Sequence, residues 1–434
     1  MDITIIGSGH VGLVTGACFA DLGNRVVMVD QDKDKVAGLK KGKVWFFEPG
    51  LEELVRRGIA EKRLSFTASI KEGVDQGQVV FICVGTPSRP NGEADLSQVE
   101  HVCQEIARVM RSYRLIVEKS TVPVETGEWI KKTLRHWVRK SVPFDVASNP
   151  EFLREGQGVQ DFHHPDRVVL GVESKRARDL LVELYKPLDA ALVITNIQSA
   201  ELIKHASNSF LAMKISYMNA IAQLCDRVGA DVVKVAEGMG LDKRIGRAFL
   251  NAGVGYGGSC FPKDVSAFIH IAEKHGFDFQ FLKAAERVNA GQRRLFVTRI
   301  AESLWNLKQK TIGVLGLAFK PDTDDLREAP SVEIIRMLQE EGAKIRAYDP
   351  KAMADCNGLF RGVTFCRDPY EVAKGADCLV VITEWNEFKE LDFGRIKKLM
   401  RQPLILDGRN IYDPEAMRKL GFRYAGIGRG HGPD

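Results

Sequence analysis

The chain has 434 residues, with 62 Lys and Arg against 57 Asp and Glu and a formal net charge of +5. That length exceeds what one ordinary core fills, so two or three domains are expected, and an apolar share of 44% allows each a proper interior. The composition excludes a disordered or fibrous chain. The mixed charges with no basic stripe argue against a nucleic-acid partner, and no apolar run approaches the ~20 residues of a membrane span.

In chain order, residues 2–6 read as a short β-branched strand. Gly7-Ser8-Gly9-His10-Val11-Gly12 follows and leads into a helix that ends at Leu22-Gly23-Asn24, and Arg25 to Asp30 is a second strand. This is a βαβ unit. Further strands are predicted at 79–84, 115–121, 144–147, 168–172 and 192–194, alternating with helical segments, which implies a largely parallel sheet covered on both faces. From Ser199 to about Ala236 the pattern is long and helical, with a break at Gly229. A glycine-rich loop spans Asn251 to Cys260, and more helix is predicted from Val265 to about Leu307. A second α/β unit has strands at 311–316, 344–350, 378–383 and 403–407, and it echoes the first down to an aspartate, Asp349, after its second strand. The glycine-rich tail from Gly426 to Asp434 is expected to fray.

The eight cysteines form no CxxC pair, so a structural zinc site is not expected, and no other metal set is found. Cys83 and Cys378 lie inside apolar strands and read as core residues. A large chain with no secretion signal points to the cytoplasm. His163 and His164 adjoin without a ligand partner and are expected to face solvent.

Gly7, Gly9 and Gly12 form G-x-G-x-x-G directly after a strand and at the head of a helix. The first glycine permits the tight turn, the second lets a pyrophosphate approach the backbone, and the third lets helix and strand pack closely. Asp30 at the second strand's end can accept bonds from both ribose hydroxyls and would repel a 2′-phosphate, which favours NAD over NADP. The same motif opens FAD-binding domains, and a simple packing turn also uses such glycines. Lys35, just beyond Asp30, fits beside an adenosine or on a solvated helix face.

The segment Gly253-Val254-Gly255-Tyr256-Gly257-Gly258-Ser259-Cys260-Phe261-Pro262-Lys263-Asp264 is the most unusual. Its glycines free the backbone to approach a ligand. A cysteine near a helix N-terminus and a lysine is a candidate thiolate nucleophile, and a buried turn residue is the other reading. Asp264 can steer a water or hold a cation. Lys204 and Asn208, spaced i, i+4, share a helix face and can present a cation and an amide to an oxyanion. Glu151 to Glu155 follow Asn149-Pro150 after a strand, where loop residues often meet ligands.

These segments, together with Phe47-Glu48-Pro49-Gly50-Leu51, Val84-Gly85-Thr86-Pro87, Glu118-Lys119-Ser120-Thr121-Val122-Pro123 and Gly316-Leu317-Ala318-Phe319-Lys320-Pro321, resemble the UDP-glucose 6-dehydrogenase family over nearly the whole chain. One departure is His10, where the family more often has tyrosine. The resemblance implies an α/β fold of two Rossmann-like domains with parallel sheets, joined by a helical middle with a long connecting helix. The parts are an NAD-binding domain (1–196), a helical central and dimerisation domain (197–305) and a nucleotide-sugar-binding α/β domain (306–434). Carried over by position, Cys260 resembles the nucleophile, and Lys204 and Asn208 the oxyanion-stabilising groups. Asp264 and Thr121 resemble partners of a catalytic water, and Glu155 resembles an aid to proton transfer. Substrate contacts are implied at Glu151, Phe152, Leu153, Arg154, Glu155, Lys204, Asn208, Phe249, Leu250, Asn251, Ala252, Gly253, Gly257 and Lys320, with Arg244 reaching across a homodimer. Cofactor contacts are implied at Gly7, Gly9, Val11, Gly12, Asp30, Lys35, Thr86, Thr121, Glu155, Lys263 and Arg327.

The family reaction implied is a four-electron oxidation of UDP-glucose at C6 to UDP-glucuronate, with two NAD per sugar, through a thiohemiacetal and a thioester on Cys260. A sister enzyme acting on GDP-mannose or UDP-N-acetylmannosamine, and a non-catalytic NAD-sensing protein on the same fold, are the other readings.

Overall fold

A computed structural model describes residues 1–89, 91–356 and 358–430, without the side chain of Asp355. The chain divides into two compact units, Met1–Ser207 with Ser266–Gly276, and Asn208–Val265 with Phe277–Asp434.

The first unit is built on eight strands: β1 (Asp2–Ile6), β2 (Arg25–Val29), β3 (Leu64–Thr67), β4 (Val79–Ile82), β5 (Arg114–Glu118), β6 (Phe144–Ser148), β7 (Val168–Gly171) and β8 (Leu192–Thr195). Their order is β3-β2-β1-β4-β5-β6-β7-β8. Every neighbouring pair is parallel except β6 and β7, which meet antiparallel at Ser148 and Gly171. The apolar runs of the sequence become strands buried on both faces. On β4, Val79 and Phe81 pack into one core cluster and Val80 and Ile82 into another, as the two-residue period of a strand requires. β3 has no counterpart among the predicted strands. It is four residues long, with Ser65 exposed, and too short for alternation to stand out.

Strand order reverses between β1 and β4, which pair from Ile3–Val79 to Ile6–Ile82. The crevice at the carboxyl ends of these two strands is where doubly wound sheets bind ligands. The glycine turn sits there. A Cβ on Gly12 would lie 2.0 Å from the Gly7 carbonyl oxygen, so the helix His10–Asp21 can start this close to β1 only with glycine at that position.

The helix Ile197–Val228 is 32 residues long and ends where expected, at Gly229 with φ +74°. The predicted helical stretch from Val265 is two helices, Phe261–Lys274 and Gln280–Leu304. The first begins directly after Cys260, whose carbonyl accepts the Asp264 N–H at 2.8 Å.

In the second unit, β9 (Thr311–Leu315), β10 (Lys344–Tyr348), β11 (Val363–Phe365), β12 (Cys378–Val381), β13 (Leu404–Asp407) and β14 (Arg423–Gly426) run parallel in the order β11-β10-β9-β12-β13-β14. This repeats the winding of the first six strands of the first sheet and bears out the echo read from the sequence. The tail requires a correction. Gly426 closes β14, Ile427 is buried, Asn410 bonds both its N–H and its carbonyl, and Gly428 accepts the Val232 N–H at 2.8 Å. Apolar burial and these bonds hold the segment to Gly430, and residues 431–434 lie outside the described residues. Among the described residues no helix is long and apolar enough to cross a membrane.

Phe19 is fully buried, with its ring edge-on to Phe162 at 5.1 Å and beside Phe81 and Tyr185. Phe19→Ala is expected to destabilise the first unit by about 3–5 kcal/mol, read as an earlier unfolding transition in urea.

Candidate active site

At the crevice of the first sheet, Asp30 accepts bonds from the Ser8 N–H at 2.9 Å, the Ser8 hydroxyl and the Asp32 N–H. Burial works to raise its pKa. The Ser8 hydroxyl, the two backbone N–H groups and the Lys35 charge outweigh that, so the carboxyl stays below its ordinary range and is an anion at neutral pH. A Cβ at Gly9 would meet no atom within 4 Å, so the protein's own packing does not demand glycine there. Val11 is half-buried at the helix start. The Thr86 hydroxyl donates to the Thr121 carbonyl at 2.8 Å and ties the loops that follow β4 and β5. Lys35 lies 4.2 Å from the centroid of the exposed Trp45 ring, whose indole N–H donates to the Ser8 carbonyl at 3.2 Å. Ser8 and Trp45 escaped the sequence reading, although Trp45 stands only three residues before Glu48 of a noted motif.

The loop after β6 stands on a buried polar floor. The Lys119 ammonium donates to Asn149 Oδ1 at 3.0 Å, and Asn149 Nδ2 donates to the Val169 carbonyl at 2.9 Å. Burial lowers the Lys119 pKa to about 8. Above this floor Lys204 Nζ donates to the Glu151 carbonyl at 2.7 Å and to Glu151 Oε1 at 2.9 Å, and both side chains are about 5% exposed. Glu151 Oε2 accepts the Leu153 N–H. Lys204 Nζ is also 5.4 Å from the Phe152 ring, which carries the Arg167 guanidinium at 3.6 Å. Arg154 forks onto Asp161, and Glu155 is half-buried. His163 needs a correction: it is half-buried 3.3 Å from Asp21, and burial lowers its pKa, whereas His164 is exposed as expected.

In the second unit, Cys260 is half-buried, and the other seven cysteines of the chain are buried. Its Sγ lies 3.5 Å from Ser259 Oγ, and it immediately precedes the helix Phe261–Lys274, as the nucleophile reading requires. Asp264 is buried in the first turn of that helix. Its Oδ2 accepts from Asn208 Nδ2 at 2.6 Å and its Oδ1 from Lys263 Nζ at 2.6 Å. Asn208 keeps a second amide hydrogen for another acceptor. The glycine loop is fixed by buried side chains. Gly253 N–H donates to Asn219 Oδ1 at 2.8 Å, Tyr256 N–H donates to Asn289 Oδ1 at 2.8 Å, and Arg293 donates to the Tyr256 carbonyl at 3.0 Å. A Cβ on Gly257 would lie 2.1 Å from the Glu328 carbonyl oxygen, so only glycine lets the two strands of chain pass.

Phe249 holds φ +63° with its ring 6.1 Å from Phe261. Leu250 and Ala252 are buried, and Asn251 accepts from Arg247 at 2.7 Å. Lys320 is half-buried in the loop after β9. Arg327 forks onto Asp325, and its carbonyl accepts the Gly258 N–H at 3.1 Å. Arg244 is exposed and pairs with Asp242. Among the described residues no group of three His, Cys, Asp or Glu side chains could hold a metal ion.

A glycine turn at the switch point of a doubly wound sheet, with an anionic carboxylate at the next strand's end, defines a dinucleotide-dependent oxidoreductase. Family models agree and match the chain in three parts. These are the NAD binding domain of the UDP-glucose/GDP-mannose dehydrogenase family over residues 1–189, its central domain over 198–291 and its UDP binding domain over 313–414. The chain belongs to this family, and its cofactor is NAD. A UDP-glucose 6-dehydrogenase of Rhizobium meliloti (strain 1021) is 48% identical over 436 residues, covering 99% of this chain and 100% of the relative. One of Pseudomonas aeruginosa is 46% identical over 442 residues, covering 99% and 98%. The solved UDP-glucose dehydrogenase of the hyperthermophilic archaeon Pyrobaculum islandicum has a TM-score of 0.93 at 41% identity, covering 99% of this chain and 98% of that one. A solved UDP-D-ManNAc dehydrogenase of Pyrococcus horikoshii has a TM-score of 0.88 at 28% identity, covering 99% and 100%.

Lys204→Met leaves the Glu151 carboxylate buried without its cation. It is expected to cost about 3–5 kcal/mol, seen as a lowered melting temperature, and Glu151→Met in the same chain should recover part of the loss.

Proposed function

We propose that this chain oxidises the C6 alcohol of UDP-glucose to the carboxylate of UDP-glucuronate, with Cys260 carrying the sugar between the two oxidations. The observation that supports it most is the contrast between Cys260, half-buried at a helix start inside a glycine loop, and seven buried thiols. The relatives named for UDP-glucose, aligned over the whole chain, support the choice of sugar.

NAD, when bound, supplies the hydride acceptor for both oxidations. The turn Gly7–Gly12 would hold its pyrophosphate, where Gly9 leaves open space, and Asp30 would accept from the ribose hydroxyls. Lys35, Thr86, Thr121, Glu155, Lys263 and Arg327 complete the proposed cofactor contacts. The first oxidation removes the proton of the C6 hydroxyl and a hydride from C6 itself to give an aldehyde. The Cys260 sulfur then bonds to C6 while the thiol proton goes to the aldehyde oxygen, giving a thiohemiacetal. Loss of a second hydride and the hydroxyl proton gives the thioester. Water adds, the C–S bond breaks, one water proton goes to sulfur, and the other is released as the acid leaves as its carboxylate. Lys204 and Asn208 stabilise negative charge on the C6 oxygen, where one donor is typically worth about 3 kcal/mol of barrier. Asp264, held by Asn208 and Lys263, and Thr121 orient the water. Glu151 to Glu155, Phe249 to Gly253, Gly257 and Lys320 hold the nucleotide sugar.

The three-part division 1–196, 197–305 and 306–434 is supported by the three matched models. The eight cysteines form no disulfide among the described residues, which accords with the cytoplasm. A homodimer is supported by the long helix, where Phe210, Tyr217 and Leu224 recur at a seven-residue spacing and are each more than half exposed. Such a stripe suits a second copy of the same helix, and Arg244 would then serve the partner's sugar.

Purified protein given a panel of UDP-glucose, UDP-N-acetylmannosamine and GDP-mannose should release two NADH per sugar with UDP-glucose alone. Cys260→Ser should trap an adduct or turn over slowly, and unchanged formation of the acid by this variant would refute the covalent route. Phe210→Glu with Tyr217→Glu should shift the sedimenting species from dimer to monomer and lower the turnover of UDP-glucose.

A further inference from the structure

The Glu48 side chain is fully buried, yet its carboxylate accepts three N–H bonds from two separate segments. Oε1 takes the Gly158 N–H at 2.8 Å. Oε2 takes the Gly156 N–H at 2.7 Å and lies 2.5 Å from His10 Nε2. Two of the donors belong to the loop after β6, which carries Glu151 to Glu155. The third lies in the glycine turn after β1. The surroundings are close-packed, since a Cβ on Gly158 would sit 3.2 Å from the His10 ring and 3.6 Å from the Glu48 carboxyl carbon. Phe46 lies on His10 with centroids 5.1 Å apart, and Trp45 of the same segment bonds Ser8 of the turn. Residues 45–48 thus fasten the glycine turn to the far end of the loop.

We propose that Glu48 is a positioning residue, joined to His10, that locks the sugar-binding loop to the cofactor turn and so sets the affinity for the sugar. This rests on the assignment of that loop to the nucleotide sugar. Two buried N–H groups have Glu48 as their acceptor, and without it they would be left with a desolvation cost that the loop can relieve only by moving. The bond to His10 is strongest when the imidazole is protonated. The charges that act most on His10 are carboxylates: Glu155 and Glu151 from the loop after β6, and Glu48 from the segment 45–48. Burial works to lower the His10 pKa, but the Glu48 hydrogen bond and these charges win, and it lies above the ordinary 6.5. The charge-assisted bond is therefore complete below the ordinary value and weakens as pH rises through the elevated one, so sugar affinity should fall on the alkaline side.

The test compares Glu48→Gln, His10→Phe and His10→Tyr with the unaltered enzyme, reading kcat and KM for UDP-glucose from about pH 6 to about pH 9. Amide exchange of residues 150–160 is followed in parallel. Glu48→Gln is expected to raise KM about tenfold with a smaller change in kcat, and to speed exchange at Gly156 and Gly158. His10→Phe should raise KM at the acid end and remove the alkaline rise. His10→Tyr keeps a donor for Glu48 and should hold KM low and flat across the range. Unaltered KM profiles together with unaltered loop exchange in Glu48→Gln and His10→Phe would overturn the proposal. If Glu48→Gln does not fold, the two His10 variants decide, since they leave both glycine bonds in place. If UDP-glucose is not turned over at all, the substrate assignment fails, while the exchange readings still decide whether Glu48 clamps the loop.

Discussion

In both sheets a carboxylate at the end of the second strand grips the backbone of the glycine turn that follows the first. Asp30 takes the Ser8 N–H, and Asp349 takes the N–H groups of Leu317 and Ala318 at 2.8 and 3.0 Å. This bond fixes where the chain leaves the central strand, and therefore where the crevice opens. The two units then diverge. Asp349 is wholly buried, uses two turn donors and also accepts the Trp385 indole N–H at 3.1 Å. Asp30 is half-buried, takes one backbone N–H and the hydroxyl of Ser8 from the turn, and faces a turn where Gly9 borders open space. The same device closes one turn with the protein's own carboxylate and leaves the other shaped for a ligand.

Much of what holds the loop after β6 and the loop before Cys260 comes from side chains rather than from ladder bonds. Asn149 and Lys119 support the loop after β6, and Asn219, Asn289 and Arg293 support the loop before Cys260. Each support is a buried side chain bonded to side-chain or backbone groups of the loop, which satisfies polar groups that no strand or helix could reach. Such an arrangement keeps a loop irregular in conformation and still well fixed, the condition for a reactive constellation to stay in register.

Much of this was legible in the sequence. The central strands of both sheets stood out as unbroken apolar runs because both of their faces are buried. β3, β11 and β14 did not, since exposed polar residues, Ser65, Thr364 and Arg423, break up their short runs. Gly229 and the glycine turn were read correctly from local chemistry alone. The i, i+4 spacing of Lys204 and Asn208, the loop position of Glu151 and the place of Asp264 after Cys260 mark these residues in the sequence, but not their pairing. Lys204 and Glu151 are 53 residues apart, Asn208 and Asp264 are 56 apart, and only the fold brings them together. Glu48 was noted only as part of a motif, because its partners lie 38, 108 and 110 residues away. The segment 426–430 was misread because its glycines suggested freedom, whereas Ile427 is anchored in the core.

The protection of seven cysteines has a chemical consequence. Burial pushes the thiols of Cys18, Cys103 and Cys378 far up and that of Cys83 to about 12, so these sulfurs stay protonated and out of reach of electrophiles. Of the eight sulfhydryls only that of Cys260 is half-buried, so an alkylating reagent or a peroxide would reach it with the least disturbance of the packing.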